Sequence, residues 1–213
     1  MKYVLSESRN WQARVLMAAV AAAMVLNIAA FAADDEYEPQ DLSGKRVAVL
    51  AGEGLHDAET IVPIGFLVNR GAEVTVVGVE PGYAKAYNSD TYVRIEKSVD
   101  DVSPDDFDAI VIPGGRSPAF LREHENVVAF TRAAVEQGKV AAAICHGPQL
   151  LITAGVLEGK KATAVSGIAD ELREAGAEYE DVSMLRDGNI ITSRIPQDLP
   201  DFLRSIEKAI AEG

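Results

Sequence analysis

One segment of the 213-residue chain places reactive side chains where a fold could use them: Ala141-Ala142-Ala143-Ile144-Cys145-His146-Gly147-Pro148-Gln149-Leu150-Leu151. A strand-like apolar run passes straight into a helix-like one, and Cys145 and His146 sit at the join. That order is the outline of a nucleophile elbow, in which a sharp turn lifts the nucleophile above the edge of a sheet. Gly147 permits close packing and Pro148 suits a first helical turn. A helix N-terminus beyond the turn favours thiolate, the reactive form, and predicts a thiol pKa below its usual range. The chain has one cysteine, which cannot close an intramolecular disulfide, so Cys145 is either an inert buried thiol or the reactive centre. Its place at the end of a strand, followed by His and Gly, selects the second.

The elements that must carry this elbow follow an alternating beat. Strand-like runs at Val47–Ala51, Glu73–Val79, Ala109–Pro113 and Val140–Ile144 are interleaved with helical spacing over Ala58–Asn69 and Glu125–Gln137. Such alternation predicts an α/β fold with a mostly parallel sheet and helices on both faces. Tyr92–Lys97 predicts a short extra strand, and Val182–Leu185 with Ile190–Thr192 a hairpin turning at Asp187-Gly188. Leu199–Ala211 closes the chain as a helix. Ligands of open α/β sheets bind beyond the carboxyl ends of the strands, which selects the loops Gly52–Glu59, Gly114–Pro118 and Cys145–Pro148. Gly114-Gly115 lets backbone N–H groups approach a substrate, and with the N–H of His146 would form an oxyanion hole.

Three stretches, Pro113-Gly114-Gly115-Arg116, Ala143-Ile144-Cys145-His146-Gly147-Pro148 and Ala154-Gly155-Val156-Leu157, resemble the motifs of the ThiJ/PfpI superfamily, specifically its PfpI-type branch. The resemblance runs from Lys45 to the C-terminus. It implies a flavodoxin-like sandwich that forms homo-oligomers, without a cofactor. It also implies activities of the cysteine peptidase, glyoxalase or deglycase kind on a peptide or small carbonyl compound, or a redox-responsive protective role with an oxidisable Cys145 and little turnover. Residue by residue, Cys145 matches the nucleophile, His146 its neighbouring histidine, and Glu59 the acid that hydrogen-bonds the sulfur, while Gly114, Gly115 and Arg116 match the oxyanion and binding segment. A carboxylate beside a thiolate would repel it, so Glu59 and Cys145 are expected to share one proton and titrate as a unit. Two positions depart from the branch: Ala119 stands where an acidic residue supports the histidine of a neighbouring subunit, and Val165 where a Tyr faces the pocket. His146 is therefore expected to lack an acidic partner.

The other histidines carry less. His56 reads as a surface-loop residue that could substitute as a polar group in the cleft, and His124 as part of a solvated helix start. Scattered histidines and one Cys at no ligand spacing give no metal site. A glutamine amidotransferase would need a His-x-Glu pair late in the chain, and Ser193-Arg194-Ile195-Pro196-Gln197 offers neither residue.

The first residues read as an export signal. Lys2, Arg9 and Arg14 precede an apolar run from Val15 to Ala33 broken only by Asn27, and Ala30-Phe31-Ala32 supplies small residues for cleavage after Ala32. The competing reading is an uncleaved anchor, since the run approaches the roughly 30 Å of a bilayer core. Either way the domain, residues 45–213 behind a polar linker at 33–44, is expected outside the cytoplasmic membrane, in a periplasm. Removing residues 1–32 takes away three basic residues and one acidic one, so the net charge of −13 becomes −15. Such a surface repels nucleic acid and anionic lipid.

Overall fold

The computed structural model describes residues 37–213, and the expected signal at 1–32 lies outside the described residues. In chain order, β1 (Arg46–Leu50) leads to α1 (Asp57–Asn69), β2 (Glu73–Gly78), β3 (Gly82–Lys85), β4 (Tyr92–Ile95), β5 (Lys97–Ser98) and β6 (Ala109–Ile112). Next come α2 (Ser117–Leu121), α3 (Glu125–Glu136), β7 (Val140–Ile144), α4 (Pro148–Ala154), β8 (Lys161–Ala162), α5 (Ala169–Glu174) and β9 (Glu178–Tyr179). A hairpin, β10 (Met184–Asp187) and β11 (Ile190–Ser193), precedes the last helix, α6 (Leu199–Glu212).

The main sheet has seven strands in the order β10-β11-β7-β6-β1-β2-β5, parallel throughout except for the β10–β11 hairpin. Alternation along each strand feeds two cores, because successive side chains leave opposite faces. Ala48, Leu50, Ile110 and Ile112 join Val127, Phe130, Leu150 and Leu172 on one side. Val47, Val49, Ala109 and Val111 join Leu67, Phe202, Ile206 and Ile210 on the other. Both faces are thus covered, and the flavodoxin-like sandwich stands. Fully buried side chains such as Phe202 and Ile206 each contribute roughly 1.5–3 kcal/mol of apolar transfer.

The structure departs from the expected elements in three places. Packing reaches back into the stretch read as linker: Leu42 is fully buried and its N–H donates to Arg70 O at 2.7 Å. The expected strand Tyr92–Lys97 is two strands, because β4 pairs with β3 in a separate two-stranded ribbon while β5 joins β2. Between them Glu96 fixes the bend, donating its N–H to Val76 O and accepting from Val76 N–H, both at 2.9 Å. The hairpin turn falls one residue later than expected: Asp187 pairs with Ile190, leaving Gly188-Asn189 as the turn with Gly188 at φ +64°.

Candidate active site

The strand β7 delivers Cys145 to the carboxyl edge of the sheet and the chain then reverses direction. Among the described residues Cys145 is the only non-glycine with positive φ, at +63°. A non-glycine backbone in that region is strained and is held by its surroundings. Here Cys145 N–H donates to Ser193 O at 3.0 Å, Cys145 O accepts from Val165 N–H at 3.3 Å, and Gly147 N–H closes onto Ile144 O at 2.7 Å. Val165, which stands where the resemblance carries a Tyr, thus contributes its main chain to the elbow.

The structure brings Cys145, His146, Glu59, Gly114 and Gly115 together. His146 Nδ1 lies 3.3 Å from Cys145 Sγ. The N–H groups of Gly115 and His146 both hydrogen-bond the sulfur. Glu59, fully buried in the first turns of α1, accepts Gly114 N–H on Oε2 at 3.0 Å, and its Oε1 has no hydrogen-bond partner. Gly114 must lack a side chain. A Cβ there would lie 2.5 Å from Glu59 Oε2, 2.6 Å from Cys145 Cβ and 3.0 Å from His146 N.

The electrostatics correct the expectation of a simply acidified thiol. Burial, then the charge of Glu59, push Cys145 up to about 12, against the pull of the Gly115 and His146 N–H groups. Burial likewise raises Glu59 to about 7, while its hydrogen bonds with Cys145 and Gly114 lower it. Two acids that each raise the other lose one proton near neutrality and hold the second far above it. A shared proton, rather than a thiol of low pKa standing alone, is what this geometry provides.

Three neighbours escaped the sequence reading or were misjudged by it. Glu171 on α5 is the first correction, because its charge raises the pKa of His146 against the lowering by burial. His146 therefore has an acidic neighbour within its own chain despite Ala119. Glu171 is held by Arg122 at 2.5 Å and by Gln149 at 3.0 Å, and Gln149 N–H donates to His146 O at 3.0 Å across the turn into α4. The signal available was Gln149 itself, a polar residue beside Leu150-Leu151-Ile152. His56 is the second: half-buried as the N-cap of α1, its ring meets the edge of Tyr87 at 5.8 Å, and its Nδ1 is buried without a hydrogen bond. Tyr87 is the third, and no motif marks it. The charges of Cys145 and Glu59, after burial, raise its phenol, and the exposed Arg116 guanidinium lies 5.4 Å over its ring. His56, Tyr87 and Arg116 thus form one wall at the mouth. His124 is the half-buried N-cap of α3, at the expected helix start, and packs its ring against Phe120 at 4.8 Å.

Among the described residues no group of three or more His, Cys, Asp or Glu side chains could hold a metal ion. Comparisons with known proteins bear on the fold and the family. The model of the DJ-1/PfpI family matches residues 45–209. A deglycase of Thermococcus kodakarensis is 41% identical over 165 residues, covering 78% of this chain and 99% of that protein. Protein/nucleic acid deglycase 2 of Escherichia coli is 43% identical over 162 residues, covering 75% of this chain and 94% of that one. The crystal structure of Drosophila melanogaster DJ-1beta superposes with a TM-score of 0.74 at 30% identity, covering 79% of this chain and 91% of that one. A family model over residues 45–209 and relatives of this identity, covered almost end to end, place the chain in the DJ-1/PfpI family.

Proposed function

We propose that the protein is a cysteine-dependent enzyme of deglycase or glyoxalase type, releasing amines from adducts of 2-oxoaldehydes. The observation that carries this reading is the fully buried Glu59 carboxyl, unpaired by any cation, beside a sulfur that also receives two backbone N–H groups. Burial keeps the proton on the thiol at rest, and Glu59, raised to about 7, is placed to take it as the two backbone donors stabilise the charge left on Sγ.

The reaction then runs in balanced steps. The aminocarbinol adduct releases its amine, and the thiolate of Cys145 adds to the aldehyde carbon as Glu59 gives its proton to the new hydroxyl oxygen. A proton then moves from the hemithioacetal carbon to the neighbouring carbonyl carbon through an enediol, with Glu59 or His146 as carrier. The resulting thioester takes up water, yielding a 2-hydroxy acid and free thiol. No external oxidant is required, because one carbon is oxidised as its neighbour is reduced. The N–H groups of Gly115 and His146 support the developing oxyanion, and Glu171 supports the charge of His146 when it carries the proton.

An aminocarbinol sheds its amine with the proton of its own hydroxyl, whereas an amide needs a positioned acid to protonate its leaving group, so carbonyl chemistry is expected to be the faster. The test is turnover of methylglyoxal, of its adduct with N-acetyl-arginine and of a peptide library, each beside Cys145→Ser. Turnover of the adduct that depends on Cys145 supports the proposal. Its absence, together with stepwise oxidation of Cys145 by peroxide, favours the protective role. Export belongs to the same proposal and rests on the run Val15–Ala33, as does self-association, for which Ile61, Val62 and Val68 stand exposed on α1.

A further inference from the structure

A second cavity opens at the carboxyl edge of the sheet, beyond the loop that follows β1. Its volume is about 390 Å3, and Glu53, Glu80, Tyr83, Ile95, Phe120 and His124 line it. The reactions described above use none of these residues. We propose that this cavity binds a guanidinium or ammonium side chain, an arginine or lysine of the polypeptide whose modified residue lies at Cys145.

Three features select an organic cation. The rings are presented rather than buried: Tyr83 is 72% exposed and Phe120 38%. Aromatic faces of this kind attract alkylated cations as well as apolar groups. The charges in the lining are both acidic, and among the described residues Glu80 has no ion-pair partner, while Glu53 accepts only the main-chain N–H of Lys85 at 3.0 Å. The Lys85 ammonium contacts Asp90 at 3.3 Å and lies over the Tyr92 ring at 5.7 Å, so it reaches Glu53 through its longer-range charge alone. An anion would meet two carboxylates here, and a neutral aliphatic group would leave Glu80 without a counter-charge.

The third feature is position. The segment Gly52–Gly54 touches both this cavity, which Gly52 and Glu53 line, and the Gly115 loop of the reactive site. On one side a Cβ at Gly52 would lie 2.7 Å from the Phe120 ring, and on the other a Cβ at Gly54 would lie 2.8 Å from Arg116. Gly115, whose N–H faces the sulfur, packs directly against Gly54 O. A polypeptide crossing that segment can therefore occupy both sites at once. The strongly acidic surface draws the same class of substrate.

The use of the cavity rests on the deglycase reading, but its occupancy does not, so binding is measured separately from turnover. In the Cys145→Ser full chain, N-acetyl-arginine methylamide is titrated by NMR beside its neutral citrulline analogue. The expected result is shifts at Phe120 and Tyr83 and binding about 10-fold tighter for the arginine compound. Glu80→Gln and Phe120→Leu should each remove most of that preference with unchanged melting temperature. In the wild type, glycated peptides with a flanking arginine should show a lower KM than norleucine counterparts at equal kcat. Equal binding of the two probes, or shifts confined to other surfaces, overturns the site. Preserved arginine binding without any turnover leaves the site standing and removes the deglycase reading instead.

Discussion

Two glutamates are buried almost completely, and the fold treats them in opposite ways. Glu207 on α6, 1% exposed, meets the Arg70 guanidinium at 2.5 Å and the N–H of Gln40 at 2.9 Å. Glu59 on α1, 0% exposed, meets one main-chain N–H and a thiol, with no cation. The first arrangement offsets the cost of burying charge and ties the segment before β1 to the last helix. The second leaves that cost in place, which makes a carboxyl group that holds its proton near neutral pH. The difference teaches that an unpaired buried acid, in a protein able to pair one elsewhere, marks the place where a proton must move.

Breaking each side of the comparison should give different signatures. Cys145→Ser should abolish turnover, a loss of at least about 10³-fold, without lowering the melting temperature; residual activity above that level would place the nucleophile elsewhere. Glu59→Gln should reduce turnover by roughly 10²–10³-fold, and its stability should diverge from wild type with pH. The pKa of Glu59 is raised in the fold, so its contribution to stability is complete below about 4.5 and is lost as pH rises through about 7. The melting temperature of Glu59→Gln should therefore gain on wild type between pH 5 and 8, and parallel curves would show that Glu59 carries no displaced proton.

Glu207→Ala should do the reverse, costing roughly 3 kcal/mol in denaturant unfolding while leaving kcat within about two-fold, because it strands Arg70 near the core. Glu171→Gln is the finer test. Glu171 raises the pKa of His146, so its removal should move the alkaline limb of the pH–rate profile to lower pH and slow turnover several-fold at pH 8. An unmoved limb would reduce Glu171 to a helix contact of Arg122. Smallest of all should be Ala119→Glu, on the exposed face of α2, since His146 already has an acidic neighbour. A large gain in peptide hydrolysis would instead restore the intersubunit support that the resemblance implies.

How much of this was legible in the chain depended on whether the signal was local. Val140–Ile144 is five apolar residues ending at Cys-His-Gly-Pro, and both the strand and its turn follow from that run. Glu59 was found through motif resemblance, since one acid near a helix start is otherwise a solvated residue. Its consequence was not fully foreseen, because the push of Glu59 on the thiol depends on how deeply both groups are buried. Tyr92–Lys97 misled because a single extended stretch serves two sheets, and the division at Glu96 depends on Val76, twenty residues earlier. Glu171 was missed because α5 is six residues long and has no periodic pattern. Its charge reaches His146 across space, and the side chains that hold it there, Arg122 and Gln149, come from two other parts of the chain.

The left-handed backbone at Cys145 bears on how such a protein can change over generations. At φ +63° glycine is the residue of least strain, so Cys145→Gly is expected to fold at least as stably while losing its chemistry. A lineage selected for thermal robustness alone would drift toward glycine at this position, and laboratory evolution for heat resistance without an activity screen should recover that substitution. Retention of cysteine in a backbone that suits glycine is thus a record of selection for the sulfur, readable in a single chain without any of its relatives.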